Sequence, residues 1–457
     1  MNKKTIAIVS YFDDNFGDML IKISFECLLK TVLDNLGISE QYSTEHVSLR
    51  DIDEAVVRES SLICFAGGGM LGNSYLQFAP YVTRIVQLAE ECDIPVIFSS
   101  VGINDMAADE DGNLAQSKLL SSRAIKAISV RENCEWFNNH MKDTDLTAVQ
   151  VCDPATWSDY IFSDITAAVN KSKPLVGINC VRNDLFLDNG YSWTYRDQYA
   201  YVDEIIKICE SKDYDYLLYT NGSMNDNSFI SSYVKLRNID ESHYVYVKTS
   251  EQLIQTIRHL DFCYALRLHS AILAYAMKKP VCNIVWNAKI PLFYEAIGCA
   301  DAVVYPQDWT PEISADFLTE LSERGSSFSH DYLMTLYNWL YEQIGIILPE
   351  AEQQASEPYA FDEICSRLPG FYRERRDEYL LEDLWFKTDK GERTAYRQTA
   401  EILELLSKLS EAKKNNKELK KELKACQKKL ASTEKKLQAM YSKLPIKIYR
   451  KIKNGLH

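Results

Sequence analysis

At 457 residues, 46% of them hydrophobic, the chain is long enough for two cores and something more. Its 65 acidic against 51 basic side chains, a formal charge of −14, exclude a general nucleic-acid binder, because holding phosphates takes a basic surface. The charge is unevenly divided: residues 411 to 457 carry 15 Lys and Arg against 4 Asp and Glu, net +11, which leaves −25 on the first 410. The 12 cysteines stand singly, with no C-x-x-C pair and no cluster that demands a metal. Most lie in apolar runs such as Leu62-Ile63-Cys64-Phe65 and read as reduced thiols of a cytoplasmic protein. The apolar stretch from Ile6 to Phe12 meets Asp13 and Asp14 too soon for a signal peptide, and no run approaches a membrane span.

In chain order, short β-branched runs alternate with helical periods, the pattern of a parallel sheet covered by helices. Strands are predicted at Thr5–Ser10, Ser61–Ala66, Ile94–Ser99, Ala127–Val130 and Val149–Cys152. After Lys171-Ser172-Lys173-Pro174 a second series follows, at Leu175–Val181, Tyr214–Thr220, Tyr244–Lys248, Phe262–Leu266, Val281–Val285 and Ala302–Tyr305. The expected fold class is therefore α/β, with two tandem Rossmann-like, doubly wound domains at residues 1–170 and 171–310. Such sheets hold ligands at the carboxyl ends of their strands, so the active site is expected in the cleft between the domains. Residues 311–400 read as a helical extension, with a helix at Asp331–Ile346 and no chemistry to assign. From Ile402 an unbroken heptad register places Leu409, Asn416, Leu423, Leu430, Leu437 and Leu444 at one core position. Leu405, Ala412, Leu419, Cys426, Thr433 and Met440 fill the other, which predicts a coiled coil over 401–444 and a homodimer. The polar Asn416 fits a register-setting position, the competing reading being a helix packed on its own domain. Residues 445–457 form a basic amphipathic tail in which Ile446, Ile448, Tyr449 and Ile452 interleave with Lys447, Arg450, Lys451 and Lys453. That tail suits peripheral contact with an anionic membrane face as well as it suits a solvated terminus.

The residues with chemistry to offer fall at strand ends. The first strand empties into Asp13-Asp14-Asn15-Phe16-Gly17-Asp18, where Asp18 reads either as a helix cap or as an acid or base, beside carboxylates and an amide able to hold sugar hydroxyls. Gly67-Gly68-Gly69 follows the second strand and leaves backbone N–H groups open to a close approach by an anion or a sugar. It is not the G-x-G-x-x-G dinucleotide fingerprint, which argues against a nicotinamide enzyme. Arg131 follows Ser129-Val130, as a solvated cap or as one of several cations at a shared cleft, and Asp153-Pro154-Ala155 closes the first half. In the second half Arg182 ends a strand, and Arg267-Leu268-His269-Ser270 ends another and opens a helix. Cation, imidazole and helix N–H donors at one point suit a phosphate or a carboxylate. Lys289, after Trp286-Asn287-Ala288, offers a further positive charge or is an ordinary exposed lysine.

Taken in order, Asn15-x-Gly17-Asp18, Gly67 to Gly69, Ser129-Val130-Arg131-Glu132, Asp153-Pro154-Ala155, Arg267-Leu268-His269 and Lys289 before Ile297-Gly298 resemble the polysaccharide pyruvyl transferase family over roughly residues 5 to 305. The resemblance implies a fold like the B-type glycosyltransferases. It also implies transfer of pyruvate from phosphoenolpyruvate, a co-substrate rather than a bound cofactor, onto a sugar or glycan as a ketal. Arg267, His269 and Arg182 would then lie at the donor site with Lys289, His269 would contact donor phosphate or move a proton, and Asp13, Asp14 or Asp18 would activate the acceptor hydroxyl. Whether the glycan acceptor is free or lipid-linked is not written in the sequence. An enzyme acting on lipid-linked precursors would work at the inner membrane face. Two rivals follow from the same residues: a nucleotide-sugar glycosyltransferase of the same fold, and a non-catalytic scaffold. The scaffold has no use for Arg267, His269, Lys289 and the three glycines together.

Overall fold

The computed structural model describes residues 3–11, 15–104, 116–141, 144–166, 171–326, 328–351 and 357–384, with short helical pieces between 427 and 439. Two compact units emerge, Met1–Asp383 and Leu384–His457. In the second, residues 427–429, 431–433, 435–436 and 439 are helical. Apart from Thr433, which is among these, the heptad positions from Ile402 to Leu444 lie outside the described residues, and so do the basic tail at 445–457 and Asp13 and Asp14.

The first unit is built on two parallel six-stranded sheets. The first holds β1 (Lys4–Ser10), β2 (Tyr42–Ser48), β3 (Ser60–Ala66), β4 (Val96–Val101), β5 (Ile125–Val130) and β6 (Val149–Gln150), in the order β2-β1-β3-β4-β5-β6. The second holds β7 (Leu175–Asn179), β8 (Asp215–Tyr219), β9 (Tyr244–Val245), β10 (Phe262–Ala265), β11 (Val281–Ile284) and β12 (Val303–Val304), in the order β9-β8-β7-β10-β11-β12. Central strands such as β1 and β3 are buried on both faces along most of their length, as a helix-covered parallel sheet requires. The two sheets realise the α/β expectation. The differences from it lie at the sheet edges. β2 is an edge strand in which only Tyr42, Thr44 and Val47 are buried, too few apolar residues to announce it. The strands expected at 149–152, 244–248 and 302–305 shorten to two residues each, all of them edges paired on one side only.

The helices that matter to the site are α1 (Phe16–Asn35), α2 (Cys134–His140), α3 (Met224–Arg237), α4 (Ser250–His259), α5 (Leu268–Ala276), α6 (Lys289–Ala296), α7 (His330–Ile347) and α8 (361–384). α1 is buried along nearly its whole surface, so no amphipathic stripe marks it. Its C-terminal end is held by the 311–384 segment, since Asn35 Oδ1 accepts from Tyr337 Oη at 2.7 Å and from the Tyr359 N–H at 2.8 Å. α8 returns across both halves. It pairs Glu382 with the buried Lys22 of α1, and Asp383 accepts from the Ser250 N–H of α4 at 2.7 Å. At the front of the molecule the Phe16 N–H donates to the Asn221 carbonyl at 2.8 Å, joining the start of α1 to the loop after β8.

Candidate active site

Strand order reverses direction between β1 and β3 in the first sheet and between β7 and β10 in the second, and a crevice opens outside the carboxyl ends at each such point. The loops that leave these four strands carry Asn15 to Asp18, Gly67 to Gly69, Asn179 with Arg182, and Arg267 with His269. Topology alone therefore brings together most of the residues singled out in sequence. They line a cavity of about 220 Å³, with Asn15, Asp18, Gly69 and Arg131 on one side and Arg267, His269 and Lys289 on the other.

Asn15 rather than Asp18 caps α1: its Oδ1 accepts from the Gly17 N–H at 3.1 Å, while its Nδ2 donates to Asp18 Oδ2 at 2.9 Å. Asp18 is thereby turned toward the second domain, with Oδ1 3.9 Å from His269 Nε2. Gly17 has a steric reason to be glycine, because a Cβ there would meet the His269 ring at 2.3 to 2.5 Å. In the glycine loop, Gly67 and Gly68 take left-handed φ of 56° and 72°. A Cβ on Gly67 would strike Ile21 Cγ2 at 2.4 Å, so this glycine serves packing, and Gly69 is the one of the three that faces the cavity.

Arg267 is the N-cap residue of α5, and its N–H is held by Asn179 Oδ1 at 2.8 Å. Its guanidinium forks onto Asp226 of α3, Nε to Oδ2 at 2.9 Å and Nη2 to Oδ1 at 2.7 Å, and lies 5.7 Å from the Trp286 ring. An amide ladder underlies this: Asn179 Nδ2 donates to Asn221 Oδ1 at 3.2 Å, and Ser270 Oγ donates to the same atom at 2.6 Å. Arg131 is almost wholly buried between Asp153 and Glu132. Burial works against its charge, but Glu132, Asp153 and Asp18 outweigh that and hold the guanidinium firmly protonated. Gly102 makes room for it, since a Cβ there would come within 2.6 Å of Arg131 Nη2.

His269 sits among these cations. Burial, then Arg131, Lys289 and Arg267, push its imidazole well below the ordinary histidine range, so the ring is neutral near pH 7. Its Nε2 is buried without a hydrogen-bond partner among the described residues. A neutral imidazole with an unfilled polar atom, beside three cations in a small cavity, is arranged for a compact anion.

Arg182 is placed differently from the others: its side chain pairs with Asp188 and is not among the groups lining the cavity, while its N–H donates to Asp226 Oδ1 at 2.9 Å. Sequence reasoning missed Asp226, Trp286, Asn179 and Asn221. Asp226 reads in sequence as an ordinary acidic residue in a helix's first turn, and the others become part of a site only when the strand ends converge.

The model of the polysaccharide pyruvyl transferase family matches residues 7–287, and the chain belongs to that family. The resemblance drawn from the ordered motifs is thus borne out. Among solved structures, a candidate UDP-N-acetylglucosamine 2-epimerase of Listeria monocytogenes is similar with a TM-score of 0.51 and 11% identity, over 78% of this chain and 99% of that one. The UDP-GlcNAc 2-epimerase of Methanocaldococcus jannaschii is similar with a TM-score of 0.50 and 8% identity, over 74% and 99%. At such identities the likeness shows the fold alone. No curated protein matches.

Proposed function

We propose that the chain transfers pyruvate from phosphoenolpyruvate to a sugar of a surface glycan or its precursor, forming a pyruvate ketal. The observation that carries this reading is the neutral His269 enclosed by Arg131, Arg267 and Lys289, opposite Asp18. Phosphoenolpyruvate presents a phosphate and a carboxylate on three carbons, a density of charge that calls for several cations at short range. The cavity of about 220 Å³ is compact enough to enclose a three-carbon donor.

In this mechanism His269 takes up a proton as the phosphate dianion enters, because a nearby negative charge stabilises imidazolium. It delivers that proton to the enol methylene, which becomes the methyl group. The cationic C2 is attacked by one acceptor hydroxyl, and its proton passes to Asp18. A second hydroxyl then forms the other C–O bond at C2 as the C2–O bond to phosphate breaks, and its proton leaves with inorganic phosphate. The products are the cyclic ketal and phosphate. Arg267, braced by Asp226, and Lys289 stabilise the departing phosphate.

The test is phosphate release from phosphoenolpyruvate, set beside nucleotide release from sugar nucleotides, in the presence of an extract of acceptor glycans. Arg267→Ala and His269→Ala should each lower turnover by about 10²-fold or more while the circular dichroism spectrum is retained. Turnover unchanged in both, or nucleotide release in place of phosphate release, overturns the assignment.

A further inference from the structure

A second cavity, of about 580 Å³, opens beside the donor pocket and is lined by Glu132, Glu135, Trp136, Asn139, Gln150 and Glu295 among others. We infer that this groove is the acceptor subsite and that it selects a neutral sugar ring. The inference rests on the pyruvyl-transfer reading above, and deepens it by naming the class of acceptor.

Continuity is the first argument. The two cavities are lined by adjacent residues of the same two segments. On one wall Arg131 faces the donor pocket and Glu132, the next residue, faces the groove, their side chains joined by a 2.8 Å ion pair. On the other wall α6 presents Lys289 and Ile290 to the donor pocket and Leu292, Glu295 and Ala296, one to two helical turns further on, to the groove. A turn advances about 5.4 Å, so the groove begins about one turn from the donor pocket, and a ring seated at its near end would present hydroxyls toward a donor carbon held over His269.

The second argument is the chemistry of the lining. Trp136 is a prepositioned aromatic surface: His140 stacks on it at 4.0 Å between ring centroids and 20° between planes, and His140 Nδ1 contacts the Trp136 carbonyl at 2.8 Å. An aromatic wall with a few carboxylate and amide groups around it is how a protein holds the apolar face and the hydroxyls of a sugar. Among the described residues the groove lining contains three carboxylates and no basic side chain; Glu132 is buried and paired with Arg131, which leaves Glu135 and Glu295 as the exposed negative charges. A uronic acid or a sugar phosphate would be repelled there, whereas the neighbouring donor pocket is rich in cations. The cleft is thus divided electrostatically, anionic donor on one side and uncharged acceptor on the other.

The experiment is saturation-transfer NMR on the full chain without donor, using methyl glycosides of glucose, galactose, mannose and their N-acetylamino forms, and methyl glucuronide as the charged control. At least one neutral glycoside should bind in the millimolar range, and methyl glucuronide markedly less. Trp136→Ala should weaken that binding roughly tenfold. The double exchange Glu135→Lys with Glu295→Lys alters only exposed side chains and should shift preference toward the glucuronide. Phosphoenolpyruvate binding, followed separately by calorimetry, should stay within about twofold in both variants. Binding of methyl glucuronide equal to that of the best neutral glycoside, absence of any saturable glycoside signal, or glycoside binding unchanged in both variants overturns the subsite. Neutral glycoside binding with no phosphate released from phosphoenolpyruvate by the wild type would instead overturn the donor assignment and leave the subsite standing.

Discussion

Gly17 ties a sequence motif to a contact across the cleft. Its absent Cβ lets the His269 ring close over the first turn of α1, so Gly17→Ala must move the ring, the helix end or both. Displacement of a catalytic group by about 1 Å can cost on the order of 10²-fold in rate, and that loss is expected here in turnover with little change in melting temperature. Near-normal turnover in Gly17→Ala would mean that the ring does not need its present position. His269 itself has a titration signature. Because burial and the surrounding cations keep its imidazole neutral and a bound phosphate would supply a counter-charge, donor binding should be accompanied by proton uptake. Affinity should accordingly fall as pH rises above neutrality. Calorimetry in two buffers of different ionisation enthalpy measures the uptake, which should vanish in His269→Gln; uptake that persists in that variant would assign the proton to another group.

At the scale of elements, α8 is the strap that joins the halves, and its last residues carry opposed titrations. Burial pushes the Asp383 carboxyl up to about 6 from an ordinary 3.8, even though Ser250 donates two hydrogen bonds to it. A carboxyl with a raised pKa favours the fold while protonated, so its contribution is complete below about pH 4 and lost as pH rises through 6. Glu382 behaves in the opposite sense. Burial resists its charge, but His46 and Lys22 hold it at about 2, and its contribution is present above the ordinary value of 4.5 and lost as pH falls toward 2. Asp383→Asn should therefore remove a decline in stability between pH 4 and 6 worth roughly 2–3 kcal/mol, read as urea midpoints against pH. Parallel profiles for variant and wild type across that range would show that Asp383 is not the titrating group. Residues 311–400 read as a helical extension without chemistry, and the strap's contacts were not visible there because the partners Lys22, His46 and Ser250 lie between 133 and 360 positions upstream. The strand ends were legible for the opposite reason: continuous burial writes itself as Ile6-Ala7-Ile8-Val9 or Leu62-Ile63-Cys64-Phe65, and the glycine, arginine or histidine that follows then stands out. Edge strands such as β2, half polar because half exposed, carry no such mark.

On the scale of the whole molecule, an acidic body is followed by a basic end. The unit Met1–Asp383 contains both sheets, the strap and every described lining residue of the donor pocket and the groove, so on the proposed function this unit is expected to carry the transfer by itself. The heptads from Ile402 to Leu444 have a different physical logic. Their apolar seam holds Leu at four core positions from Leu423 to Leu444 and a single Asn at 416, a pattern we propose is buried against the same helix of a second copy. The seam is flanked by lysines, and two such helices side by side concentrate positive charge, so the association should weaken at low salt and strengthen as salt screens the repulsion. A chain ending at residue 399 is then expected to halve in mass by light scattering relative to the full chain, while keeping phosphate release per active site within about twofold, since distant sites act independently. An unchanged mass after truncation would place the dimer contact on the body. A truncated chain that is monomeric but inactive would mean that the second unit takes part in catalysis, beyond the described lining residues, all of which belong to the first.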